Sequence, residues 1–175
     1  CCGLPLAART LGGLLGCKEI NEWEEILNNK LWNLSGKSDI LPVLKLSYHY
    51  LPSNLKRCFA YCSILPNDYE FGETQLILLW MAEDLIQKPE ENKQLEDVGR
   101  EYFQELVSRS LFQKSSKQDS RYVMHHLISD LAQRVSGETC LRLEDILDGR
   151  WSPKTRHLSY TAGKYDGVER FEAFC

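Results

Sequence analysis

The sequence predicts a mainly α-helical protein closed by one two-stranded hairpin, the outline of a winged-helix domain. Three observations carry that expectation. Successive segments repeat apolar residues at the spacing of one helix face. Two short alternating stretches, Leu111-Phe112-Gln113-Lys114 and Arg121-Tyr122-Val123-Met124, flank the polar run Ser115-Ser116-Lys117-Gln118-Asp119-Ser120, as hairpin arms flank a turn. The second arm then passes straight into a helical pattern at His125-His126, where Leu127, Ile128, Leu131, Ala132 and Val135 share one face.

Taken in order, the first helix opens at Gly3-Leu4-Pro5-Leu6, with proline where an early turn tolerates it. Leu4, Ala7, Ala8, Leu11, Leu14 and Leu15 are its expected apolar stripe. Gly12, Gly13 and Gly16 weaken it but permit close packing. A second helix carries Trp23, Ile26, Leu27, Leu31 and Leu34, and Ser35-Gly36-Lys37-Ser38 is the expected subdomain boundary. Ser38 or Asp39 caps a helix through Ile40, Leu41, Leu44, Ser47, Tyr48 and Leu51. Ser53, after Pro52, is expected to cap the helix of Cys58 and Cys62, with Pro66 beyond its end. Phe71-Gly72-Glu73-Thr74 leads into Leu76 to Ile86, apolar nearly all round and so expected to be mostly buried. A polar linker, Pro89-Glu90-Glu91-Asn92, precedes a helix bearing Leu95, Val98, Tyr102, Phe103 and Leu106. The helix after the His pair should end at Gly137. Beyond it, Cys140-Leu141-Arg142-Leu143-Glu144 and Arg156-His157-Leu158-Ser159-Tyr160 alternate like strands, separated by Gly149 and Pro153.

Composition narrows the function classes. The 175 residues suffice for one to two domains, and 43% hydrophobic content reads as globular. A net charge of −4 argues mildly against a general affinity for nucleic acid or acidic membrane. The longest apolar run, Leu76 to Ala82, is far shorter than the roughly 20 residues of a bilayer span. The start, Cys1-Cys2-Gly3-Leu4-Pro5, lacks an initiator Met and a basic leader, so the chain reads as a fragment of a longer protein. Seven cysteines, none in a C-x₂-C pair, read as reduced thiols in a reducing compartment. Cys58 and Cys62 follow a helix-core pattern, with a metal or redox pair as the rival reading.

Catalytic machinery is not visible. The chain has no G-x-x-x-x-G-K-[ST] phosphate loop and no G-x-S-x-G elbow. His49 and His157 read as structural, and the paired carboxylates as solvated faces. DNA binding is the natural alternative for a winged helix. Yet the groove-reading segment, Glu73 to Asp84, has no Lys or Arg to neutralise phosphate.

The His pair is the strongest candidate site. A strand-to-helix junction aims free N–H groups and the positive dipole end outward, which suits an anion, and an imidazole there can donate to a phosphate. A solvated His pair is the plain alternative. Adjacent residues point to opposite faces of a strand, so the two rings are not expected to bind one metal ion together.

Taken together, these residues resemble the middle of a plant nucleotide-binding leucine-rich-repeat immune receptor of the coiled-coil class. Gly3-Leu4-Pro5-Leu6-Ala7 resembles the family's GLPLA motif. Cys58-Phe59-Ala60-Tyr61-Cys62-Ser63-Ile64-Leu65-Pro66 with Leu79-Trp80-Met81-Ala82-Glu83 resembles the signature of the non-TIR class. Glu96-Asp97-Val98-Gly99, Tyr102-Phe103 and Leu106 to Phe112 are similar to the stretch that follows. Met124-His125-His126-Leu127 sits where the family carries its MHD motif, and Arg156-His157-Leu158-Ser159 resembles the entry strand of the repeats.

The resemblance implies three regions. Residues 1–36 would be the C-terminal part of the first helical ARC subdomain of the NB-ARC core. Residues 37–137 would be the winged-helix second ARC subdomain, and 138–175 a linker and the start of the leucine-rich repeats. It implies an ADP/ATP-switched intracellular receptor acting in defence and cell death, whose Walker motifs lie outside this segment. The cofactor would be held through the full-length parent, with weak or no binding by this segment alone. Leu4 and Pro5 would pack near the adenine and ribose, and His125 would touch the ADP β-phosphate. Partners would be the adenine nucleotide, the nucleotide-binding and repeat domains of the same chain, and further copies of the receptor. No specific nucleic acid is implied. His126 departs from the family's usual Asp. Asp is a strong N-cap, and losing one costs about 0.5–2 kcal/mol. His126 is therefore expected to loosen the contact with nucleotide and bias the parent toward its active state.

Overall fold

Pro5 opens the first helix as expected, in the computed structural model, which describes residues 4–33, 42–88, 93–143 and 152–161. Helix α1 (Pro5–Gly16) is followed by α2 (Ile20–Leu27) and a 3-10 turn (Lys30–Asn33). Then come α3 (Pro42–His49), α4 (Ser53–Tyr61), a second 3-10 turn (Cys62–Ile64), α5 (Glu73–Ala82) and α6 (Leu95–Ser108). The hairpin β1 (Gln113–Lys114) and β2 (Tyr122–Val123) leads into α7 (His126–Ser136), with β3 (Cys140–Arg142) and β4 (His157–Ser159) beyond. The expected boundary at 35–38, the Ser38 or Asp39 cap, the linker 89–92 and Gly149 lie outside the described residues. None of the described helices is long and apolar enough to cross a membrane.

Several elements differ from expectation in an instructive way. The buried face of α1 is Leu6, Ala7, Thr10 and Leu14; Leu4 and Ala8 are exposed. Thr10 lies outside the expected apolar stripe, but its hydroxyl donates to the Leu6 carbonyl at 2.8 Å and so is buried without loss. The second helix stops at Leu27, and only Ile26 of it is buried, while Ile20 and Leu27 face outward. Ser53 is the first helical residue of α4 and makes no capping bond; Pro52 holds the N-cap position in its extended conformation. Helix α5 buries one face, Leu76, Ile77 and Trp80, and leaves Leu78 half exposed, so its all-round apolar pattern overstated its burial.

The hairpin is antiparallel, Gln113 opposite Val123 and Lys114 opposite Tyr122. Phe71 adds a third, one-residue rung that the sequence reading missed. Its N–H and C=O exchange two 2.9 Å hydrogen bonds with Tyr122. Inside the wing lies an aromatic cluster in which Phe103 of α6 touches Phe71, Trp80, Phe112 and Tyr122 with ring centroids 4.8–6.4 Å apart. One hydrophobic core runs from Leu6 and Ala7 of α1 through α3–α6 to Ile128, Leu131 and Ala132 of α7. Two glycines have structural reasons. Gly13 lets α1 approach the end of α6, where an added Cβ would lie 2.7 Å from the Ser108 carbonyl oxygen. Gly137 ends α7 with a φ of 56°, in the left-handed region that favours glycine.

Cys58 and Cys62 are buried free thiols. Cys62 Sγ donates to the Cys58 carbonyl at 3.2 Å, and Cys58 Sγ to the Leu85 carbonyl at 3.8 Å. Burial pushes the Cys58 thiol up to about 12 and raises Cys62 as well. Both stay protonated near neutrality, and thiols are poor nucleophiles. Alkylation of the native chain at pH 8 is therefore expected to modify exposed Cys17 while sparing Cys58 and Cys62. Peptide mapping before and after denaturation checks this, and equal native labelling of all three would refute it.

Candidate functional site

The site is built by the passage from β2 into α7. Met124 is buried and anchors the end of the wing, so the chain turns at His125 with φ −60° and ψ 144°, an extended N-cap conformation. The His125 Nδ1 accepts a hydrogen bond from the Leu127 N–H at 3.2 Å. Its carbonyl accepts from the N–H groups of Ile128 and Ser129, at 2.8 and 3.0 Å. His125 therefore caps the helix itself, and His126 is the first helical residue.

Two expectations are corrected by this geometry. The cap position belongs to His125, so a missing acid at His126 does not leave the helix uncapped. The first-turn N–H groups of Leu127, Ile128 and Ser129 are occupied, so they do not form an open anion cradle. What remains is the imidazole. A neutral ring has one N–H, and with Nδ1 accepting, that proton sits on Nε2 as a donor. Burial, and then the neighbouring charge of His126, push the His125 pKa below the ordinary histidine value, so the neutral form is favoured; Asp68 and Asp130 oppose this more weakly.

The rings of His125 and His126 also lie together rather than apart. Their centroids are 4.2 Å apart at an interplanar angle of 30°. Strand alternation does not apply, because the helix begins between the two residues. His126 is exposed and His125 half-buried.

Leu4 and Pro5 are the N-cap and first residue of α1, both exposed. Among the described residues no hydrogen bond or ring contact joins them to His125. The link is through packing: Leu6 and Ala7 share the core that holds Ile128 and Leu131. The other histidines make ring contacts with neighbouring tyrosines. His49 ends α3 with its ring edge-on to Tyr50, and His157 of β4 lies edge-on to Tyr61 with Nδ1 3.3 Å from a Glu83 oxygen. A further residue went unnoticed in the sequence: Arg142, read only as part of a strand, is buried and reaches Ser129 in the first turn of α7.

Residues 64–132, from the second 3-10 turn to the middle of α7, match the family model described as the disease resistance protein winged helix domain. The chain is also 49% identical over 175 residues to an Arabidopsis thaliana disease resistance RPP13-like protein 1, covering 99% of this chain. It belongs to the disease resistance protein family. A second Arabidopsis thaliana disease resistance protein is 43% identical over 176 residues, and disease resistance protein RGA4 of Solanum bulbocastanum is 48% identical over 152 residues, 83% of this chain. This chain spans 16%, 12% and 15% of the lengths of those three relatives. Within the disease resistance protein fold, the matched stretch contains the wing, the aromatic cluster and the His125 junction.

Proposed function

We propose that this chain is the regulatory winged-helix segment of a disease resistance protein acting in plant defence, switched by ADP and ATP, in which His125 meets the β-phosphate of bound ADP. The single observation that carries the reading is the His125 N-cap: with Nδ1 committed to Leu127, the ring keeps an Nε2–H donor for an acceptor outside the helix. A phosphate oxygen suits such a donor, and the start of α7 adds a favourable dipole. Leu4 and Pro5, exposed at the start of α1, are suited to lie against the adenine and ribose. The nucleotide supplies the charge that distinguishes the two states; this segment supplies a donor and its orientation. Contacts with a nucleotide-binding domain, a repeat domain or further receptor copies belong to the same reading, as does an intracellular site of action.

His126 tunes the junction in this reading. An acid at the first helical position would favour α7 by about 0.3–1 kcal/mol through the helix dipole. It would also remove the neighbouring imidazole whose charge lowers the His125 pKa. His126 thus biases the parent toward its active state, by the dipole and by its ring rather than by loss of a cap.

The test uses the longer receptor that contains this segment. Purified protein is expected to carry ADP, and His125→Ala to hold it about tenfold more weakly, the equivalent of one lost hydrogen bond of roughly 1.4 kcal/mol. Undiminished ADP retention in His125→Ala would sink the proposal. Expressed in leaves, His126→Asp is expected to lower background cell death, and equal background in both forms would remove the role given to His126. Duplex DNA is not the favoured ligand. Helix α5 offers no cation along Glu73–Ala82, and its Glu73 lies 3.9 Å from the Arg100 guanidinium.

A further inference from the structure

Arg142 stands on β3, yet its guanidinium ties together three other parts of the chain. Nε donates to the Ser63 carbonyl of the second 3-10 turn at 2.7 Å. Nη1 donates to Asn67 Oδ1 at 3.2 Å, and Nη2 to Ser129 Oγ at 2.8 Å. Ser129 Oγ in turn donates to Asn67 Oδ1 at 3.0 Å, so guanidinium, amide and hydroxyl close a ring of hydrogen bonds. Both Arg142 and Ser129 are buried, at 4% and 1% exposure, so water does not readily replace the bonds from the guanidinium to the Ser63 carbonyl and to Ser129 Oγ, whereas Asn67 is exposed.

Ser129 is the point of contact with the candidate site. Its own N–H bonds to the carbonyl of His125 at 3.0 Å, the same residue whose Nδ1 caps Leu127. The path from the guanidinium to the N-cap therefore runs through one residue. Arginine suits this role because its planar fork fixes several directions at once, which a lysine ammonium does not.

We propose that Arg142 is a positioning residue for His125: its guanidinium pins the first turn of α7 to the 3-10 turn and to β3, so that the β3–β4 sheet and the His125 ring move together. This rests on the reading of His125 as the phosphate-facing donor; what it adds is the regulation of that donor from β3. Because β3 pairs in parallel with β4, Arg142 opposite Ser159, a shift of that sheet displaces the guanidinium and with it Ser129. The stretch after the winged helix thereby gains a mechanical connection to the site.

The test measures amide hydrogen exchange and imidazole nitrogen shifts in this chain, comparing Arg142→Lys and Ser129→Ala with the parent sequence. Arg142→Lys keeps the charge and loses the fork. Ser129→Ala cuts the link while leaving the bonds of Arg142 to Ser63 and Asn67. Both are expected to speed exchange at Leu127, Ile128 and Ser or Ala at position 129 by about tenfold or more, from loss of a charged-group hydrogen bond. The His125 nitrogens are expected to lose the signature of a single Nε2–H tautomer, while the amides of Leu79 and Trp80 in α5 are unchanged. Unchanged exchange at the start of α7 in both variants would overturn the proposal. So would an equal rise across α5, which marks a general loss of stability. No nucleotide is present, so this outcome is independent of ADP retention in the longer receptor, which tests the His125 reading itself.

Discussion

Phe103→Ala is expected to destabilise the chain by about 3–5 kcal/mol, the range for removing a large buried aromatic side chain. Phe103 is fully buried on α6, and its ring sits among Phe71, Trp80, Phe112 and Tyr122. These come from the segment before α5, from α5, from the start of the wing and from β2. A cavity at this point therefore loosens several elements that meet around one ring. Set against a total stability of about 5–15 kcal/mol, the loss would bring the domain near its unfolding threshold. Leu78→Ala is the comparison, since Leu78 lies on neighbouring α5 but is half exposed, and about 0.5 kcal/mol or less is expected there. Urea unfolding followed by circular dichroism measures both. The expected result is a midpoint far lower for Phe103→Ala, and coincident midpoints would disprove the role given to the cluster. Tyr122 edge-packs on Phe103 at 4.8 Å and lies three residues before His125, so the wing that Phe103 supports is also what carries the candidate site.

Gly13→Ala and Gly12→Ala are expected to act in opposite directions, although the residues are adjacent in the same helix. Alanine is the better helix former by about 0.8–1 kcal/mol, so at an open position the change stabilises. Gly12 has nothing within 4 Å of an added Cβ. At Gly13 the same methyl would lie 2.7–2.9 Å from Ser108 and Arg109 backbone atoms, which cannot rotate aside. Overpacking of this kind costs about 1–3 kcal/mol and outweighs the gain in propensity. The contact also joins α1 to the rest of the molecule beside a half-buried ion pair. Arg109 meets Glu105 at 2.7 Å and donates to the Tyr50 carbonyl at 3.4 Å. Gly13→Ala is thus expected to lower the melting temperature where Gly12→Ala raises it. Two shifts of the same sign would mean that α1 does not bear on α6 as described.

Helix positions, the hairpin, the strand-to-helix junction and the Gly137 stop were legible because each follows from local pattern and turn chemistry. The faces were less so. The stripe expected for α1 follows apolar residues alone, so it includes buried Ala7 and Leu14 but leaves out Thr10, which satisfies its own hydroxyl within the helix. Helix α5 reads as mostly buried because composition does not say which neighbours cover a side chain, and Leu78 is left half exposed. The Phe71 rung is one residue long and carries no alternation to detect. At the site, the sequence singles out both histidines but puts the cap at the wrong one, since Asp, Ser and Asn oxygens are the usual caps and an imidazole is expected to cap poorly. Arg142 was invisible for a different reason: its partners lie 79, 75 and 13 residues away, and no local rule links them.

The cap made by His125 has one further consequence. With Nδ1 tied to the helix and the neutral ring favoured, the N–H left on Nε2 acts as a pointer rather than a charge. A cation attracts any anion from several ångströms away, and salt screens that attraction. A neutral donor rewards only an acceptor placed near its own axis, within hydrogen-bond reach, and is largely indifferent to ionic strength. Such a group discriminates by position and direction instead of by net charge. It can tell where an oxygen is, and an oxygen moved by an ångström or two is no longer seen.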